Sequence, residues 1–196
     1  MLATYLDPIG ACLSLLCTIS FVRVSRIAWL FGLVSTVLKV VLYFDRGLYA
    51  QVGLKLVFVV TMVYGWYTWR ERGPKHEVLP IRYLSWKERA ILIPVCGVGI
   101  WALNTLLCCY TDSTVSFMDS TTATLALAAQ CLLCYKIMEN WIFWFFINMM
   151  VVVLYADVGL PFNAAVHFGY IFLAIIGFKR WHTIMQQQKP NTGSTI

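Results

Sequence analysis

Apolar runs of 17 to 22 residues alternate with short polar breaks along the chain, at 9–25, 27–44, 49–69, 90–110, 119–137, 140–157 and 160–181. About 20 residues of helix, rising 1.5 Å each, cross a hydrocarbon core roughly 30 Å thick. The pattern therefore predicts an all-α membrane protein with seven transmembrane helices. No basic residue precedes the first run, and Arg23 and Arg26 follow it, a layout unlike a cleavable signal peptide. Composition agrees: of 196 residues, 60% are hydrophobic and 12% charged, too few charges to cover the surface of a soluble core.

One run breaks the apolar pattern. In Glu139-Asn-Trp-Ile-Phe-Trp-Phe-Phe-Ile-Asn148, a 3.6-residue period puts Asn140, Trp144 and Asn148 on one face. Amides buried in a bilayer need a partner from the protein or from a ligand, and a ligand is the reading adopted here. Helical rise sets Trp144 roughly 6 Å and Asn148 roughly 12 Å above Asn140. Amides in a dry cavity both donate and accept, which suits an uncharged polar head or a carboxamide. An indole beside them suits a planar, especially a cationic, heterocycle.

Charge gives an orientation. With seven spans, one side holds a single basic loop residue, Arg46. The other holds twelve: Arg23, Arg26, Arg70, Arg72, Lys75, Arg82, Lys87, Arg89, Lys136, Lys179, Arg180 and Lys189. The positive-inside rule places the second side in the cytoplasm, with the N-terminus out and the C-terminus in. The net charge of +6 is accounted for in this way and gives no support to nucleic-acid binding.

The sequence also matches itself at an offset of 112, from Asp7/Asp119 to Trp69/Trp181, through Trp29/Trp141, Tyr43/Tyr155, Asp45/Asp157, Gly47/Gly159 and Gly65/Gly177. Three helices end opposite their start, so a further crossing must precede a second, parallel repeat. The organisation read from this is 3+1+3. A first three-helix repeat at 1–69 is followed by a basic cytoplasmic linker at 70–89 and a connecting helix at 90–110. A second repeat at 111–181 leads into a disordered cytoplasmic tail at 182–196. Substrate sites in repeat transporters lie near the midplane between repeats. At the offset, Trp144 meets Gly32, Asn148 meets Thr36, Asn140 meets Ala28 and Gln130 meets Thr18: one half carries bulk and amides, the other space.

Other residues have plainer explanations. Trp29, Trp69, Trp86, Trp141 and Trp181 fall at cytoplasmic helix ends, where an aromatic belt accounts for each. Trp66 and Trp144 lie about one turn deeper, and for Trp144 ligand stacking and bundle packing weigh evenly. Lys39 and Lys55 sit close enough to the outer face to snorkel; facing a cavity instead, they would attract anions. Asp7, Asp45, Asp119 and Asp157 suit helix ends. Glu139 suits an i,i+3 pair with Lys136, and His167 suits a satisfied interior position. All seven cysteines lie in apolar runs and read as small hydrophobes. Cys131-x-x-Cys134 resembles a redox or zinc motif without a complementing pair, so no metal or cofactor is expected. No buried carboxylate is expected that could form a proton-coupling chain.

Two blocks carry a family resemblance: Gly47-Leu-Tyr-Ala through Tyr64-Gly-Trp-Tyr-Thr-Trp69, and Asp119 through Asn148 with Gln130, Lys136 and Glu139-Asn-Trp-x-x-Trp. The second continues into Tyr155-Ala-Asp-Val-Gly159 and Gly177-Phe-Lys-Arg-Trp181. The chain resembles the PnuC nicotinamide riboside transporters. The resemblance implies a multi-pass protein of the cell inner membrane, a homotrimer, and facilitated diffusion of a vitamin nucleoside drawn in by cytoplasmic phosphorylation. It places substrate binding at Gln130, Asn140, Trp144 and Asn148, with Trp141 and Trp66 beside them. Departures fall in the first repeat, where Lys55 replaces a glutamine of many members. A related vitamin such as thiamine or riboflavin is therefore an alternative substrate. An intramembrane enzyme or sensor using Cys131/Cys134 or His167 is a second class of reading, but the spacing supplies no nucleophile with an aligned base.

Overall fold

The computed structural model of the chain describes residues 2–45, 49–70, 79–110, 116–157, 159 and 161–188. Among these it is all-helical, with α1 (Leu2–Val22), α2 (Ala28–Asp45), α3 (Tyr49–Thr68), α4 (Trp86–Tyr110), α5 (Ser116–Cys134), α6 (Asn140–Asp157) and α7 (Pro161–Gln188). Within the described residues α2, Trp86–Cys109 of α4, Phe117–Cys134 of α5 and α6 are long and apolar enough to cross a membrane, and Ile9–Val22 of α1 is a shorter apolar stretch. Gln51 and Lys55 dilute α3, as Asn163 and His167 dilute α7.

Several boundaries differ from the run-based expectation for a local reason. Helix α4 starts at Trp86, before its apolar run, because Ser85 and Glu88 form a capping box. The Ser85 N–H donates to Glu88 Oε2 at 2.7 Å and the Glu88 N–H to Ser85 Oγ at 3.3 Å, so two amides without helical partners are satisfied. Arg82 grips the same carboxylate through two bonds of 2.7 Å. Ser85→Ala should lower stability by about 1 kcal/mol, read as a small fall in the detergent melting temperature. Helix α7 runs past Trp181 to Gln188, whose Oε1 accepts from the Ile81 N–H at 3.1 Å. The ordered part of the chain thus extends into the segment expected to be a tail; 189–196 lie outside the described residues, as do 71–78 of the linker.

The chain forms two compact units: Met1–Ile81 with Cys134–Lys136 and Lys179–Ile196, and Arg82–Leu133 with Ile137–Phe178. An aromatic cluster centres the first. Phe21 and Trp29 meet edge to face at 4.8 Å, as do Trp29 and Trp69 at 5.4 Å, while Trp69 and Trp181 are tilted at 6.0 Å. The second unit packs Leu84, Leu132 and Ile137 together, with Leu92 and Phe143 against them.

Four of the five tryptophans assigned to an interfacial belt are in fact interior: Trp29 and Trp181 have no exposed surface, and Trp69 and Trp141 are buried. Trp86 alone of the five is open, at 82% exposure. The reason is geometric. In the first unit the Trp29 ring occupies the space a Cβ on Gly65 would take, and in the second the Trp141 ring does the same at Gly177, 2.6 Å from the Cβ position. Trp69 Nε1 donates to the Cys134 carbonyl at 3.2 Å and Trp181 Nε1 to the Phe21 carbonyl at 2.8 Å. Those carbonyls lie in the last turns of α5 and α1, where helical N–H donors run short.

The corners after α1 and α5 share one geometry. Val24 (φ 55°) and Lys136 (φ 52°) are left-handed, and they are the non-glycine residues with positive φ among those described. The Ser25 N–H bonds to the Ser20 carbonyl at 2.9 Å, and the Ile137 N–H to the Leu132 carbonyl at 3.0 Å. Each is a 6→1 bond around a left-handed residue, the Schellman arrangement usually built on glycine. Val24 and Lys136 are 112 apart in sequence, as are Trp29 and Trp141, and Gly65 and Gly177.

Candidate functional site

The polar face of α6 lies in the second unit with Gln130, Asn140, Trp141, Trp144 and Asn148. Asn140 opens the helix and is wholly buried. Its Nδ2 donates to the Ile137 carbonyl at 2.5 Å, while Oδ1 has no hydrogen-bond partner. An unmatched buried acceptor costs about 1–3 kcal/mol. Gln130, near the end of α5, is also buried. Trp141 is committed to the Gly177 socket.

Two turns on, Asn148 is held at both ends. Its Nδ2 donates to the Trp144 carbonyl at 2.7 Å, and its Oδ1 lies 2.7 Å from His167 Nδ1 of α7. A carbonyl only accepts, so the Trp144 oxygen requires Nδ2 on its side and leaves Oδ1 facing the imidazole. Nδ1 must then carry the proton, which assigns the His167 tautomer. His167 in turn lies between Tyr155 and Tyr170, at 5.5 and 5.8 Å. Asn148 keeps one further N–H and one lone pair for another group. The Trp144 indole, one turn away on the same face, is half-exposed. His167 thus takes a direct part in orienting the amide face. Its sequence signal was its place opposite Lys55 at the repeat offset.

Trp66 and Lys55 belong to the first unit. The Arg26 guanidinium covers one face of Trp66 at 3.9 Å and donates through Nε to its carbonyl at 3.0 Å. Lys55 reaches the Phe58 ring at 5.2 Å. The space expected at Gly32 is filled, because the Met62 sulfur stands 2.8 Å from where a Cβ would be, with Cys17 Sγ at 3.0 Å.

Charge at the α5–α6 corner is arranged differently from the i,i+3 pair expected of Glu139 and Lys136. The left-handed turn at Lys136 ends helical spacing. Glu139 instead accepts from Arg89 Nη2 at 2.7 Å and from the Leu84 N–H at 3.2 and 3.1 Å. Contrary to the expectation of no buried carboxylate, Glu139 is buried, because these donors compensate its charge. Lys136, 5% exposed, lies over the Trp69 ring at 4.7 Å. Burial pushes its ammonium down to about 8, against about 10.4 for a free lysine. Between those values the unfolded chain binds more protons than the folded one, so stability should rise as pH increases through that window. Melting temperatures from pH 7 to 10 should show the rise in the parent protein and a flatter profile in Lys136→Met. Cys134 is buried with Sγ 3.5 Å from the Thr61 carbonyl, whereas Cys131 is exposed.

Residues 4–183 match the family described as nicotinamide mononucleotide transporter. The nicotinamide riboside transporter PnuC of Escherichia coli (strain K12) is 26% identical over 204 residues, covering 91% of this chain and 85% of that protein. The PnuC of Neisseria mucosa is 22% identical, over 94% of this chain and 74% of its own length. The crystal structure of the vitamin B3 transporter PnuC superposes with a TM-score of 0.76 at 20% identity, covering 95% of this chain and 84% of that one.

Proposed function

The chain belongs to the nicotinamide mononucleotide transporter family and is a membrane transporter rather than an enzyme; on that premise we propose that it takes up nicotinamide riboside by facilitated diffusion. The observation that carries this reading is the α6 face, where Asn148 is fixed by the Trp144 carbonyl and His167 beside a half-exposed indole. A rigid amide with one donor and one acceptor to spare matches a carboxamide edge, and a neighbouring ring matches the plane of a pyridine. Asn140 adds a buried acceptor, and Gln130 a further amide. The proposed substrate-binding set, all within the second unit, is Gln130, Asn140, Trp144 and Asn148, with Trp141 held in the Gly177 socket next to Asn140.

The 3+1+3 organisation is part of the same reading. It is supported by the paired Trp–Gly sockets and the paired left-handed corners, each separated by 112 residues. The distribution of basic residues supports an N-terminus outside and a C-terminus inside, and the family resemblance supports an inner-membrane location and a homotrimer. Uniport is part of the same reading: among the described residues the buried carboxylate is Glu139, and its oxygens are already engaged by Arg89 and the Leu84 amide. The test is radiolabelled uptake into proteoliposomes. Saturable nicotinamide riboside entry without an imposed ion gradient is expected; entry of thiamine or riboflavin alone would reassign the substrate, and strict dependence on a proton gradient would end the uniport reading.

A further inference from the structure

Residues 82–85, which lead into α4, are laid against residues 137–139, which lead into α6, and both stretches belong to the second unit. Arg82 and Ile137 form a parallel bridge, with the Met138 N–H donating to the Arg82 carbonyl at 2.9 Å. One residue on, the Glu139 carboxylate accepts from the Leu84 N–H at 3.2 and 3.1 Å and from Arg89 Nη2 at 2.7 Å. The strap is itself tied down, since Arg82 holds Glu88 of α4 through two bonds of 2.7 Å. A carboxylate that takes both a backbone amide and a guanidinium fixes α4 to the start of α6 with charge-assisted bonds. The chain is thus pinned at the two residues that follow Ile137. That pinning orients Asn140. The Ile137 carbonyl accepts from the Asn140 N–H at 3.2 Å and from Asn140 Nδ2 at 2.5 Å. A carbonyl cannot donate, so the side-chain amide stands with Nδ2 toward Ile137 and presents Oδ1, buried and without a hydrogen-bond partner, as an acceptor. Such an oxygen gains from a solute N–H and loses against a solute oxygen. Once the Ile137 carbonyl can shift, the amide can turn over and offer Nδ2, and the preference disappears.

We propose that Arg89 and Glu139 are positioning residues which, through the Ile137 carbonyl, hold Asn140 as an acceptor and so make the site select a carboxamide over a carboxylate on the same ring. The inference rests on the pyridine-nucleoside reading above and deepens it, adding a determinant of specificity that does not touch the solute. Purified full-length protein in a non-ionic detergent is titrated calorimetrically with nicotinamide riboside and with its carboxylate counterpart, nicotinic acid riboside. The parent protein should bind the carboxamide about tenfold or more tighter, the effect of one buried oxygen left facing another. Arg89→Gln should bring that ratio to about one, and Arg89→Lys, which keeps a cationic N–H for Glu139, should retain most of it. Glu139→Gln has the same size and still offers an oxygen to the Leu84 N–H, so it replaces Arg89→Gln if that protein is not recovered folded, and it should lose the ratio likewise. Asn140→Ala should also remove the ratio, with no further change when combined with Arg89→Gln. Looser packing alone weakens both ligands together and leaves the ratio unmoved. A parent ratio of about one, or an undiminished ratio in folded Arg89→Gln or Glu139→Gln, would overturn the inference while leaving nicotinamide riboside binding, and hence the uptake reading, in place. Binding of neither solute to the parent protein would remove the uptake reading itself.

Discussion

Trp144→Ala should weaken nicotinamide riboside binding roughly fivefold to a hundredfold, the 1–3 kcal/mol typical of base–aromatic stacking, while the protein stays folded. The second half of that expectation follows from position. Trp144 is half-exposed, whereas Trp141, three residues earlier, is buried against Gly177. Truncating an indole that is only partly buried removes a ligand surface and opens less space than truncating a wholly buried one. Calorimetric titration gives the affinity, and a melt in detergent separates it from misfolding. Unchanged affinity in a well-folded Trp144→Ala protein would remove the indole from the site. Asn148→Ala makes the complementary comparison, since it also releases His167 and should lose both affinity and some stability.

Gly65→Leu and Gly177→Leu should each abolish recovery of monodisperse protein, and Gly177→Ala should already lower stability by about 1–3 kcal/mol. Two opposing effects meet at these positions. Alanine is the better helix former by about 1 kcal/mol, which alone would stabilise α7. The new Cβ, however, would stand 2.6 Å from Cη2 and Cζ3 of Trp141 and 2.7 Å from Cδ2, and a flat ring with two rotatable bonds has no way to yield except by shifting α6. Overpacking wins. Gly65 is in closer contact still with Trp29, whose ring is also flanked by Phe21 and Trp69. Fluorescence-detected size exclusion reads the loss. Combining Gly177→Ala with Trp141→Phe, a smaller ring, should recover part of it, and the coupling in that cycle measures the contact directly. A Gly177→Ala protein as stable as the parent would mean that the socket is loose.

Much of this architecture was legible because it is local. Run lengths predicted seven helices, and period 3.6 put Asn140, Trp144 and Asn148 on one face of α6. The Ser85-x-x-Glu88 pattern was available too, but α4 was read from its apolar content, which begins only after the polar first turn. Other features depended on residues far apart in sequence. Glu139 is paired with Arg89 rather than with the nearer Lys136, since the chain leaves helical geometry between them. The tryptophans read as belt anchors because hydropathy does not distinguish an indole facing lipid from one facing glycine. Gly32 read as vacant because a thioether 30 residues downstream is invisible to periodicity. In each case the local signal identified the residue and the tertiary contact decided its use.

The corners at Val24 and Lys136 also bear on how the protein moves. A valine with positive φ is strained by about 1–3 kcal/mol, and a lysine is less strained only because it lacks β-branching. Neither residue chose this conformation, so the helix pairs on either side impose it. A left-handed residue closed by a 6→1 bond makes a poor hinge, because any opening breaks that bond before it gains a better backbone state. Hairpins α1–α2 and α5–α6 should therefore keep their internal angles through a transport cycle and travel as levers, with bending taken up by segments that carry no such lock.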